Sequence, residues 1–216
     1  MRTLVSAAFA FIALATTAKT APLSEGDVKN LLAGIRQNRT TQADFQEQRM
    51  IHLMKNPIVS SGRIWFQPPN KFRREVKGNS PSITVSDGRQ LWIYYPNFKS
   101  AERYPLGKGS PLDSTVAAIN SALNLENIEN TFQISATKID NGYELALLPR
   151  TASMKRVFQK LDLHINELRV DRTDMLLPNG DRIVTSYSNQ TRTPIPASTF
   201  EFKPPPDTEV ATPLGQ

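Results

Sequence analysis

Between Gly62 and Leu106 the chain alternates short apolar or aromatic runs with turn signals, a rhythm that constrains it to an antiparallel sheet. The runs are Ile64–Phe66, Ile83–Val85 and Leu91–Tyr95. The interruptions are Pro68-Pro69-Asn70, Gly78-Asn79-Ser80-Pro81, Asp87-Gly88 and Pro96-Asn97. Asp-Gly between two apolar runs is the strongest of these signals, because glycine accepts the positive φ that a tight hairpin turn needs. The stretch reads as a meander in which each strand is joined to the next by a short turn.

The rest of the chain extends the pattern. Ser24–Gln37 carries Val28, Leu31, Leu32 and Ile35 on one stripe, with Ser24 as N-cap and Asp27 in an acidic first turn, which predicts an amphipathic helix. Phe45–Met54 reads as extended. Leu112, Val116, Ile119 and Leu123 recur at helical spacing behind the loop Gly107-Lys108-Gly109-Ser110-Pro111 and predict a second helix. Strand alternation then returns at Phe132–Ala136, at Tyr143–Leu147 after Asn141-Gly142, and at Val157–Ile165. Leu168–Leu176 and Arg182–Ser188 form another pair joined by Pro178-Asn179-Gly180-Asp181. Phe200 and Phe202 suggest a short edge strand before Pro204-Pro205-Pro206 and a poorly ordered end. The expected fold is mainly β with α: an incomplete, half-open antiparallel β-barrel of about ten or eleven strands covered by helices, since a curved sheet buries one face by closing on itself.

The first residues contain one cation (Arg2), an apolar run from Leu4 to Ala15 and then small residues, which reads as a signal peptide over residues 1–21. Cleavage after Ala18 is preferred to cleavage after Ala21, where Pro22 would follow the scissile bond. The apolar run is shorter than the roughly 20 residues a membrane span needs. Residues 22–216 are then expected to form a single exported domain of about 195 residues, enough for a sizeable core. The leader holds Arg2 and Lys19 and no acid, so removing it lowers the formal charge from +6 to +4. A basic exported surface suits solubility and contact with anionic headgroups, and nucleic acid is not an expected partner. With no cysteine in the chain, disulfides and thiolate metal sites are excluded, and burial must hold the fold.

Enzyme chemistry finds little support. His52 and His164 are the two histidines, both read as lying on polar strand faces, and no His/Asp/Glu cluster has metal-ligand spacing. There is no G-x-S-x-G elbow, and the glycines at 107 and 109 lack P-loop spacing. Glu47 and Glu75 could pair inside a barrel, but solvated strand acids are the better reading. Binding is favoured: Phe45, Trp65, Phe66, Phe72, Trp92 and Tyr94 either fill the interior or line a hollow one. No cofactor is expected.

Several of these segments resemble the periplasmic outer-membrane lipoprotein carrier family, LolA. The resemblance rests on Ala43-Asp44-Phe45-Gln46-Glu47-Gln48, on Trp65, Pro69-Asn70, Phe72, Val85-Ser86-Asp87-Gly88, Leu91-Trp92, Tyr94 and Pro96, and on Phe200-Glu201-Phe202-Lys203-Pro204-Pro205. It implies a non-enzymatic, monomeric periplasmic carrier holding acylated lipoprotein or lipid cargo in an apolar half-barrel under a lid helix. It further implies receipt from an inner-membrane ABC transporter and delivery to an outer-membrane acceptor. Strand alternation combined with family position gives an expected lipid-binding lining of Phe45, Phe72, Ile83, Val85, Ile93, Leu112, Val116, Ile119 and Leu163. Arg74 is expected at the mouth, where the family has a cavity tryptophan, and Gly107 and Gly109 at the hinges of the lid. The family arginine that ties barrel to lid falls near Pro68 here; Arg63, Arg73 and Arg74 are the candidates to replace it. The alternative reading is an envelope sensor in which the same half-barrel binds lipid or lipoprotein and regulates a membrane-bound partner. Such sensors add a second domain, for which this chain has no room.

Overall fold

The computed structural model describes residues 21–106, 125 and 128–213. The expected leader and the expected helix with Leu112, Val116 and Ile119, together with Gly107 and Gly109, lie outside the described residues. Among the described residues, thirteen strands form one sheet that does not close: β1 (Ala21–Pro22), β2 (Gln42–Met50), β3 (Ile58–Gln67), β4 (Lys71–Lys77), β5 (Ser82–Ser86), β6 (Gln90–Tyr95), β7 (Ser100–Pro105), β8 (Phe132–Ile139), β9 (Gly142–Pro149), β10 (Lys160–Asn166), β11 (Arg169–Leu176), β12 (Arg182–Thr191) and β13 (Glu209–Ala211). Their order is β1-β8-β9-β10-β11-β12-β2-β3-β4-β5-β6-β7-β13. Neighbours are antiparallel except β13, which runs parallel to β7. The meander from β3 to β7 and the hairpins at Gly142 and Gly180 stand where the turn residues place them.

Helix α1 (Glu25–Gln37) begins where its cap dictates. The Ser24 Oγ accepts the Asp27 N–H at 3.2 Å and donates to the Asp27 carboxylate at 2.6 Å. Its stripe of Leu31, Leu32 and Ile35 is buried against Phe132, Ala136, Leu145, Leu147, Leu161, Leu163 and Ile165 of β8, β9 and β10. The stacked rings of Phe132 and Phe158, 5.9 Å apart, close the base of this core. Two single-turn helices, α2 (Ile128–Thr131) and α3 (Ala152–Lys155), complete the α-helical content of the described residues. The face under α1 is the inner face of the sheet.

The family segments around Asn70 and Asp87 interlock across two turns. Asp87 Oδ1 accepts the N–H groups of Arg89 and Gln90, both at 2.7 Å. Ser86 Oγ donates to the Asn70 carbonyl at 2.9 Å and accepts the Gly88 N–H at 3.2 Å. Gly88 has φ +90°, and a Cβ there would collide with the Asn70 side chain, so both the conformation and the space require glycine.

The tail departs from expectation. Residues 197–200 form a 3-10 turn rather than an edge strand, and residues 209–211 run in register as β13 beside β7. Phe200 is 1% exposed, and the Phe202 ring lies 5.6 Å from both Trp92 and Tyr94 on the outer face. The apolar parity of β6 on both faces therefore has two separate partners. The strand content also differs from the expected ten or eleven, because β1 and β13 are pieces of two and three residues that alternation cannot register.

Candidate functional site

An apolar cavity of about 200 Å³ lies between α1 and the inner face. Ile35 of α1 forms one wall. Ala43, Ile64 and Phe66 of β2 and β3 form a second, and Leu161, Leu163, Val170 and Met175 of β10 and β11 a third, with Phe158 below. Polar groups gather at its rim: Asn38, Arg39, Arg169 and Gln190. Gln190 donates to the Val170 carbonyl at 2.9 Å and accepts from the Thr40 hydroxyl at 2.6 Å, tying β12 to β11 and to the end of α1.

Thr173 and Tyr187 give the cavity a polar edge, with their hydroxyls 3.5 Å apart. Burial pushes the Tyr187 phenol above its usual value and outweighs the Thr173 hydrogen bond and the Arg74 charge, which act the other way. Farther along the same face, Arg74 Nη2 donates to Glu47 Oε2 at 2.8 Å, while the guanidinium lies 4.4 Å from the Phe45 ring centroid. The Thr185 hydroxyl approaches the same carboxylate at 3.5 Å. The inner face thus carries a half-buried ion pair and two hydroxyl-bearing strands beside its apolar hollow.

Register decides where each expected lining residue points. Leu163 lies in the cavity wall. Phe45, Phe72, Ile93 and Arg74 share the inner face with it but stand along β2, β4 and β6, away from the cavity. Ile83 and Val85 are a correction: they pair with Glu75 and Arg73 and face outward, toward the side covered by the C-terminal tail. Their run is apolar because that outer face has its own cover, which local alternation does not reveal. Leu112, Val116, Ile119, Gly107 and Gly109 lie outside the described residues.

Of the three arginines weighed against Pro68, Arg63 and Arg73 lie on the outer face. Arg63 approaches Asp44 at 3.8 Å and the Trp65 ring, and Arg73 bonds Glu75 at 2.6 Å. Arg74 alone of these three points inward. The two acids considered for the interior separate accordingly: Glu47 is inside with Arg74, and Glu75 is outside with Arg73.

One group of cavity residues outside the expected lining, Val170, Thr173 and Met175, lies where the strand is irregular. The register of β10 against β11 shifts after His164, pairing Ile165 with Val170 and His164 with Arg172. The extra residue at Asp171 lets even-numbered Val170 and odd-numbered Thr173 and Met175 share one face. The break in alternation across Val170–Met175 is the signal that could have shown it. Among the described residues, no group of three or more His, Asp or Glu side chains is placed to hold a metal ion.

The sequence model of one family, described as outer membrane lipoprotein carrier protein LolA, matches residues 36–203. A relative named outer-membrane lipoprotein carrier protein, from Dechloromonas aromatica, is 26% identical over 86% of this chain and 87% of its own. One of the same name from Xylella fastidiosa is 24% identical over 94% of this chain and 95% of its own. Among solved structures, an uncharacterized conserved protein from Thermus thermophilus superposes with a TM-score of 0.52 at 16% identity, covering 86% of this chain and 99% of that one.

Proposed function

Since this chain belongs to the outer membrane lipoprotein carrier family LolA, we propose that it shields the acyl chains of lipoproteins in the apolar hollow under α1 while they cross the periplasm. The observation that carries this reading is a cavity walled by Ile35, Ala43, Ile64, Leu161, Leu163 and Met175 and bordered by polar groups along one edge. Such walls suit a hydrocarbon chain, each methylene of which costs ~0.8 kcal/mol to leave in water. The reading involves no covalent step and no cofactor. An inner-membrane ABC transporter would load the chain and an outer-membrane acceptor would relieve it, after removal of the leader by cleavage after Ala18, which leaves β1 in place.

The cavity volume sets a condition on the mechanism. At about 200 Å³ it is little larger than the roughly 150 Å³ cavity that admits benzene, so it holds a short stretch of one acyl chain. Whole cargo requires the walls to part. The sheet is held by continuous backbone ladders, whereas α1 is held chiefly by Leu31, Leu32 and Ile35, so α1 is the wall that yields. A cargo that binds the open form better shifts the population toward it without an energy source in the protein.

The test is occupancy. Native mass spectrometry of protein isolated from the periplasm should show bound lipoprotein or acyl lipid. Ala43→Leu, which fills the hollow from β2, should lower acyl binding while the fold remains. Equal acyl binding by the wild type and Ala43→Leu would reject the cavity as the binding place.

A further inference from the structure

The β2–β3 hairpin extends beyond its neighbours. On one side, β4 stops at Lys77 opposite Ser61, so Ile58, Val59 and Ser60 have no partner there. Four large apolar side chains stand on this extension: Leu53 is 91% exposed, Met54 52%, Ile58 47% and Val59 55%. Ile58 opposes Arg49 and Val59 opposes Gln48, so the two point to opposite faces of the hairpin, with Leu53 and Met54 at its apex.

This tip is held in shape. Asp181, from the β11–β12 turn, accepts the His52 N–H at 3.0 Å and lies 4.0 Å from Arg49. The Met54 N–H closes the turn on the Ile51 carbonyl at 2.9 Å. From Gln48 through Gly62 the chain has two cations, Arg49 and Lys55, and no acid. The nearby acid, Asp181, is buried and already partnered.

We propose that this hairpin tip is a membrane-contact element that inserts Leu53 and Met54 into the interface of an anionic phospholipid bilayer. A protein groove covers one face of a hairpin, whereas here apolar side chains leave on both faces and at the apex, as suits immersion in a medium that is apolar on all sides. Lys55 lies beside the apex, where anionic lipid supplies its counter-charge, while Arg49 behind it is already paired with Asp181. The net positive charge that remains once the leader is removed favours the same approach. The inference stands on the hairpin alone and is independent of what the cavity holds.

The experiment is co-sedimentation of the purified protein with vesicles of phosphatidylethanolamine and phosphatidylglycerol, against vesicles of phosphatidylcholine. Wild-type protein should partition onto the anionic vesicles, less so as salt rises. Leu53→Ser and Met54→Ser should each lower partition by about tenfold, and Lys55→Glu should lower it on the anionic vesicles only. Both serine positions are exposed, and an unchanged thermal midpoint checks that the fold is intact. Leu53→Trp adds a direct readout, a blue shift of the new indole when vesicles are added. Absence of wild-type binding, or binding indifferent to both serine substitutions, would overturn the proposal. So would a tip that fails to bind vesicles but holds a protein partner from envelope extracts.

Discussion

Arg74 on β4 reaches across β3 to Glu47 on β2, closing a 2.8 Å ion pair with its guanidinium stacked over Phe45. The strand between them makes this possible at Gly62, which opposes Phe45 on one side and Val76 on the other. A Cβ at Gly62 would strike the Glu75 backbone carbonyl of β4 and also meet the Phe45 ring at 2.9 Å. The glycine therefore seats the ring that the guanidinium covers. Both charged side chains are about one-quarter exposed, so the pair is neither a surface bridge nor fully desolvated.

Breaking this pair from one side should cost more than removing it. Arg74→Met leaves Glu47 half-buried with only the long Thr185 contact, and should destabilise the protein by about 1–3 kcal/mol in urea unfolding. Arg74→Met combined with Glu47→Gln should recover most of that loss. A double variant as unstable as the sum of the singles would show that the charges are not coupled.

The interlock of the two turns makes a second energetic prediction. Gly88→Ala puts a side chain at φ +90° and into Asn70, and should cost about 1–3 kcal/mol. Asn70→Ala relieves the collision but not the backbone strain, so Gly88→Ala should hurt less in that background. Thermal or urea midpoints of the four proteins measure the difference. Additive effects would mean that the collision is absorbed elsewhere.

Acid stability should depend on Asp181. The His52 N–H, followed by the Asn179 side chain and the Arg49 charge, holds this carboxyl below its ordinary value of 3.8, against the opposing effect of burial. A carboxyl depressed in the folded state binds its proton more readily when unfolded. Its contribution is present above the ordinary carboxylate range and is lost as pH falls through the folded value. Asp181→Asn should therefore lower stability at neutral pH and flatten its decline between about pH 5 and pH 2. The same slope in both proteins would place the acid-sensitive group elsewhere.

Movement of α1 is open to a covalent test, because the chain has no cysteine to interfere. A Cβ at Gly34 of α1 would lie 3.2 Å from the Leu168 side chain at the cavity rim. Gly34→Cys with Leu168→Cys should form a disulfide that keeps the fold and blocks uptake of acylated cargo, and reduction should restore uptake. Uptake at the wild-type rate with the disulfide formed would show that α1 is not the yielding wall.

Local chemistry made much of this molecule legible from the chain alone. Ser24 with Asp27 started α1, the stripe of Leu31, Leu32 and Ile35 set its buried face, and Asp87-Gly88, Asn141-Gly142 and Asn179-Gly180 placed the hairpins. Each of these signals acts within a few residues, so a one-dimensional reading captures it. Register and sidedness are not local. In β6, Leu91 and Ile93 alternate with Trp92 and Tyr94, and nothing in the run tells which pair faces the hollow. Tertiary structure decided it by bringing Phe202, from far along the chain, onto the outer face, which also carries Ile83 and Val85. The one-residue shift at Asp171 likewise turned Val170 inward beside Thr173 and Met175. Alternation fixes that two faces differ, but only the pairing of distant strands, and what covers each side, determines which face becomes the interior.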